Sequence, residues 1–150
     1  MQTFNPWFPI DRVPEFLAGV FVLQHFAGSM TIVCDGQFEN GQLLVLRFRN
    51  FEAVTTHPEF SHEWLGESDL PALPKSPGGY WTFPFLVVEQ SIWALKSKES
   101  QVFGNVPSHY CVLSASDIVD VLSSEPPQIG WTTATEIERV MDSAAKLGAA

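Results

Sequence analysis

The sequence predicts an α+β fold: a single domain with a largely antiparallel sheet and a C-terminal amphipathic helix packed on it. The chain has 150 residues, the size of one ordinary domain, and 45% hydrophobic against 17% charged residues supply enough apolar material for a core. Pro (11) and Gly (10) are frequent, as expected of short elements joined by turns. Strand patterns come first and helical patterns later, without regular β-α-β alternation.

The N-terminal third begins without a regular helix. Residues 1–15 hold three prolines among large apolar side chains, so we expect an extended aromatic and Pro-rich arm that packs on the body. Residues 16–27 fit a helix or a strand, and Gly19 followed by Val-Phe-Val favours the strand. Residues 30–34 and 42–50 alternate as strands, separated by a loop with two X-Gly turns.

Beyond residue 50 the pattern becomes less regular. Residues 51–56 continue or bend the preceding strand, and His57-Pro58 breaks it and opens a long acidic loop over residues 57–79. An apolar strand is predicted from Tyr80 to Val88, and a short amphipathic helix over 90–101 with Ser91 as an N-cap.

The last third combines strands and helices. Residues 109–113 predict a buried strand, and Ser114-Ala-Ser-Asp117 resembles a capping box that opens a short helix from Ile118 to Leu122. Residues 129–132 predict a short strand, and 135–147 a terminal helix. The apolar face of that helix is expected to be buried, so that Val140→Asp should unfold the domain or detach the helix. Its buried residues are predicted to be Ile137, Val140 and Met141.

The charge of the chain disfavours nucleic-acid binding, because 17 acidic against 8 basic residues give a net charge of −9. No basic residue lies between Arg49 and Lys75, where acidic residues concentrate. This stretch is interpreted as a solvated loop or, alternatively, as a docking surface for a basic partner. The predicted partner-binding residues are Glu59, Glu63, Trp64 as an aromatic anchor, Glu67 and Asp69.

The two cysteines, Cys34 and Cys111, have apolar neighbours and are predicted to be buried free thiols. No signal peptide opens the sequence, and its longest apolar runs are far shorter than a membrane span. We therefore expect a cytoplasmic protein without a membrane partner.

Two clusters raise the question of catalysis. His57, Glu59, His62 and Glu63 are residue types that bind zinc or transfer protons, but the histidines are five apart and Pro58 disrupts a helix. Cys111 and His109 share a strand face, yet their apolar flanks favour a core strand.

We expect no catalytic residue, no metal and no cofactor from these clusters. A small-molecule-binding module, with a pocket lined by Trp64 and Trp81, remains the alternative, and a metal-dependent or Cys/His enzyme is less favoured.

One resemblance adds to this reading. The order Tyr80 to Trp93, then His109 to Leu122, then Pro126-Pro127-x-Ile129 resembles a pattern in small bacterial proteins, some of which are similar to immunity proteins encoded beside secreted polymorphic toxins. It spans about a third of the chain and contains no catalytic signature. The resemblance implies a small, non-enzymatic cytoplasmic inhibitor that neutralises a cognate toxin by blocking its surface. The acidic excess adds the expectation that the partner is a basic toxin domain. The oligomeric state stays open.

Overall fold

The computed structural model describes residues 2–25, 28–58 and 83–148. Within these ranges the chain forms antiparallel strands and three helices, which makes it an α+β single domain, as predicted. The strands are β1 (Thr3–Pro6), β2 (Gly19–Gln24), β3 (Met30–Asp35), β4 (Leu43–Phe48), β5 (Phe51–Pro58), β6 (Phe85–Glu89), β7 (Ser108–Leu113), β8 (Asp117–Ser123) and β9 (Gln128–Thr132). The helices are α1 (Ile92–Leu95), α2 (Lys98–Phe103) and α3 (Ala134–Gly148).

The strands form two sheets, with the orders β1-β6-β7-β8-β5 and β2-β3-β4-β9. The core lies between them, because apolar residues of both sheets belong to one buried cluster that includes Ile32, Leu46, Phe48, Phe85 and Val112. Each sheet therefore covers one face of the other, a role that the sequence had assigned to the terminal helix. Cys34 and Cys111 are buried free thiols, which confirms that prediction.

The change of sheet after β4 occurs at a tight bend. Asn50 has a φ of 54°, the left-handed region in which asparagine is one of the better tolerated residues. The next strand, β5, pairs with β8 in the other sheet and has a bulge between Phe51 and Ala53. The sequence allows residues 51–56 either to continue the preceding strand or to bend it. The chain bends there and starts a new strand.

The predicted helix from Ile118 to Leu122 is wrong, because these residues belong to β8. The Ser114 hydroxyl does accept from the Asp117 amide, as a cap would, but the bond closes the turn between β7 and β8. The apolar run is buried on both faces of a central strand, which gives no clean alternation by which to recognise a strand. Two adjacent β-branched residues, Ile118 and Val119, agree with the strand.

The predicted helix over residues 90–101 is divided into α1 and α2. Ser91 accepts from the Ala94 amide and is the predicted N-cap. A second serine, Ser97, accepts from the Ser100 amide and caps α2, which ends at Gly104 in the left-handed region with a φ of 73°.

The terminal helix α3 is present but is packed on the sheets loosely. Its N-terminal hydrogen bond is made by Thr133, whose side chain accepts from the Glu136 amide. No residue of the helix is buried: Ile137 is half-buried, and Val140 and Met141 are 45% and 57% exposed. The prediction that these three residues are buried is wrong, because the inner faces of the two sheets already cover each other.

Candidate functional site

One accessible apolar surface in the described part of the chain is the face of α3. Ile137, Val140, Met141 and Ala144 recur at intervals of three and four residues, which places them on one side of the helix. Leu147 extends this face to the C-terminal end and is 81% exposed. We call these five residues the α3 face.

Carboxylates border the α3 face on both sides. Glu136 lies one turn before Val140, and Glu138 lies one turn before both Met141 and Asp142. The opposite side of the helix carries Arg139, Lys146 and Asp142, and Arg139 donates to Glu136 at 2.9 Å. The apolar surface therefore has one carboxylate on each border, and the back of the helix carries charges of both signs.

The strand before this helix adds further apolar surface. β9 is an edge of its sheet within the described residues, and it carries no charged side chain. Ile129 and Trp131 are opposite Leu46 and Leu44 on β4, so they point to the core side of the sheet, yet they are 40% and 41% exposed. They add accessible apolar surface on the strand that precedes α3.

A surface pocket of about 350 Å³ adjoins Trp131. It lies between the N-terminal arm, the β3–β4 loop and β9, and it is lined by Ile10, Asp11, Arg12, Phe38, Glu39, Asn40 and Trp131. The rings of Phe38 and Trp131 meet edge to face with centroids 5.2 Å apart. Arg12 donates to Glu39 at 2.6 Å, a solvent-exposed pair. Aromatic surface and ionised groups thus share one concave site.

A buried polar network lies on the outer face of the five-stranded sheet. Ser91 Oγ lies 2.7 Å from His109 Nδ1, and His109 Nε2 lies 2.7 Å from Asp120 Oδ1. The three residues are 3%, 0% and 1% exposed. Because Ser91 Oγ accepts from the Ala94 amide, we assign its hydrogen to His109 Nδ1, which leaves the Nε2–H to donate to Asp120.

These residue types are those of a hydrolytic triad, but their surroundings give them a structural role. Ser91 is the N-cap of α1, and the next amide, that of Ile92, donates to the side chain of Gln2. A substrate would have to displace these bonds in a site that solvent does not reach. The network joins the N-terminal segment, α1, β7 and β8.

Cys111 and His109, considered above as a nucleophile and base and not favoured, both lie in the core. Both side chains are buried on one face of β7, as their spacing predicted. Burial, and then the neighbouring charge of Asp120 and a hydrogen bond to it, raise the pKa of Cys111 well above its ordinary value. A buried thiol whose pKa is raised is a poor nucleophile.

The residues predicted to bind a partner lie outside the described residues: Glu59, Glu63, Trp64, Glu67 and Asp69. The same applies to Trp81 of the alternative ligand pocket and to most of the histidine cluster, of which His57 alone is described, on β5. In the three described ranges, no group of three or more His, Cys, Asp or Glu residues is arranged to hold a metal ion. None of the helices found there has the length and apolar character to cross a membrane.

A second exposed apolar patch lies on α1, α2 and the following loop. It consists of Ile92, Leu95, Val102, Phe103 and Val106. Its helices carry Lys96 and Lys98 with a single acidic residue, Glu99, so it lacks the acidic border of the α3 face.

The α3 face and the pocket were both missed by sequence reasoning. The pocket joins three segments that are far apart along the chain, so no local motif announces it. The amphipathic pattern of α3 was recognised, but the pattern is the same for a helix that covers its own core and for one that covers a partner. Comparison with protein-family models, with curated proteins and with solved structures gives no match to this chain.

Proposed function

We propose that this protein acts by binding another protein, with the α3 face as its principal contact and a basic surface on the partner. Its specific form would be that of a non-enzymatic inhibitor of the immunity type, which masks a basic toxin domain. The observation that carries the proposal is the α3 face itself: a 15-residue amphipathic helix on which no residue is buried.

Such a face has an unfavourable free energy in water unless a partner covers it. Monomeric proteins seldom expose contiguous apolar patches without an interaction role, and the exposed part here includes Val140, Met141 and Leu147. An amphipathic helix that lays its apolar residues into a groove is a recurrent mode of protein recognition. The spacing of the α3 face matches the positions that such a helix uses as anchors.

The charges favour a basic partner over a second copy of this chain. Glu136 borders one side of the α3 face and Glu138 borders the other, so two such faces would bring carboxylates together. A groove with a basic rim would pair with Glu138, and with Glu136 alongside Arg139, which already donates to that carboxylate. The net charge of −9 would also speed encounter with such a partner.

The inhibitor form of the proposal adds a reason for the basic surface. Enzymes that act on nucleic acids bind phosphates through basic side chains, and an acidic protein seated there would occupy the same groups. The resemblance to immunity proteins and the acidic excess support this form of the proposal.

Affinity capture with matched baits tests the proposal. Three baits are immobilised and exposed to lysate of the source cell: the wild type, Met141→Glu on the α3 face, and Thr135→Glu, which adds the same charge away from that face. We expect a protein with a basic binding domain on the wild-type and Thr135→Glu baits and its loss from the Met141→Glu bait. Equal capture by all three baits, or capture of acidic proteins alone, would contradict the proposal.

The inhibitor form is tested by co-expression. If a gene beside this one encodes a toxin, the wild type and Thr135→Glu should restore growth of cells that express it, and Met141→Glu should not. Full protection by Met141→Glu would show that inhibition does not depend on the α3 face.

A further inference from the structure

We propose that the pocket beside Trp131 binds an arginine side chain of the protein partner. This inference rests on the proposed function, because it assigns a specific contact to the same basic partner. Trp131 lies on β9, whose last residue is two positions before the start of α3, so a partner that contacts the N-terminal end of α3 is close enough in the chain to reach the pocket as well.

The charge of the pocket selects a cation. Its ionised residues are Asp11, Glu39 and Arg12, which sum to a single negative charge. Arg12 already donates to Glu39 Oε1, whereas the Asp11 carboxylate has no hydrogen bond or ion pair within the described part of the chain. An incoming cation would find one carboxylate ready to pair with it, and an anion would meet a net repulsion.

The aromatic surface favours guanidinium over ammonium. The indole of Trp131 lines the pocket and is 41% exposed, so part of it is open to a ligand. A guanidinium is planar, stacks on an indole and donates two parallel hydrogen bonds to a carboxylate. The volume of about 350 Å³ is in the range of small ligand pockets and accommodates one long side chain.

The groups around the pocket make contacts that hold its walls in place and leave the pocket accessible. Phe38 packs against Trp131 edge to face and holds the indole in place. Asn40 accepts from the Gln42 amide at 2.9 Å, which fixes the loop on which Glu39 lies. The pocket is thus preorganised on its aromatic side, and its charged side is made of exposed side chains that adjust to a ligand.

Titration with arginine derivatives, followed by ¹H–¹⁵N NMR of the whole chain, tests this inference. The probe is N-acetyl-arginine amide, and the control is N-acetyl-citrulline amide, which has nearly the same shape without the charge. We expect the Trp131 indole N–H and the Asn40 side-chain signals to shift with the arginine derivative, with a millimolar Kd. The citrulline derivative should bind about fivefold more weakly or not at all.

Variants then test the groups separately. Asp11→Asn should raise the Kd about twofold to fivefold, as expected for one exposed charge pair. Met141→Glu should leave the Kd unchanged, because the α3 face does not line the pocket. Asp11 is exposed, so its variant should fold normally, and an unchanged NMR spectrum of the remaining residues checks this point.

The outcomes separate this inference from the proposed function. Equal shifts with both probes, or shifts that do not involve Trp131, would overturn the arginine site even if Met141→Glu abolishes partner capture. If the arginine derivative binds as expected while Met141→Glu captures the partner normally, the pocket stands and the α3 docking proposal fails.

Discussion

Removal of the Asp120 carboxylate is the perturbation that should destabilise the domain most clearly. Asp120 is 1% exposed and accepts from His109 Nε2 at 2.7 Å. Asp120→Ala leaves a buried N–H without its acceptor, at a cost of about 1 to 3 kcal/mol. It also removes a charge-assisted hydrogen bond that contributes about 1.5 to 3 kcal/mol, and because the two effects overlap we expect a net loss of about 3 kcal/mol.

Urea unfolding followed by tryptophan fluorescence measures this loss. Asp120→Asn retains a carbonyl oxygen that can accept from His109, so it should recover at least part of the lost stability. Asp35→Ala is the control, because it removes an exposed carboxylate at the end of a strand and should change the stability by no more than about 0.5 kcal/mol. If Asp120→Ala is as stable as the control variant, the buried network does not hold the outer face of the sheet, and the reasoning is wrong.

Three further predictions concern packing, titration and α3. Gly36→Ala should lower the free energy of unfolding by about 1 to 3 kcal/mol, because a Cβ there would lie 2.7 Å from a neighbouring side chain. Gly130→Ala, whose Cβ would have nothing within 4 Å, should be nearly neutral, and equal unfolding midpoints for the two variants would contradict this. Burial raises the pKa of Cys34 and Cys111 above the ordinary 9.0, so stability should be full below that pH and should fall above it by up to about 1.4 kcal/mol per pH unit for each thiol. Urea titrations at several pH values should show a shallower fall for Cys34→Ala than for the wild type, and identical slopes would refute the assignment. Val140→Asp should lower the melting temperature only slightly, because the side chain is 45% exposed, and global unfolding of this variant would show that α3 is buried after all.

The sequence predicts the strands well where local pattern and tertiary environment agree. The predicted strands over 30–34, 42–50, 109–113 and 129–132 are confirmed, and the weaker preference for a strand within 16–27 is confirmed by β2. In β8, apolar residues lie on both faces, so the alternation typical of a half-buried strand is missing. Asp120 also interrupts the apolar run with a polar residue, which matches the pattern of an amphipathic helix. Local pattern therefore failed where the strand is central and carries a polar network.

Long-range pairing explains why the sites could not be predicted. Ser91 was recognised as a cap and His109 as a strand residue, but their contact depends on the packing of α1 against β7. The exposure of α3 also depends on long-range packing, because the second sheet already covers the core side of the first and leaves no core surface for the helix. An amphipathic pattern shows that a helix has an apolar face and does not show which surface covers it.

Amide hydrogen exchange of α3 tests the central claim most directly. The backbone amides of residues 134–148 are compared in the free protein and in its complex with the basic protein captured by the wild-type bait. The account predicts rapid exchange in the free protein, because no residue of the helix is buried, and strong protection in the complex. Exchange over 134–148 that is unchanged by the partner, with protection confined to other segments, would contradict the claim that the α3 face is the docking surface.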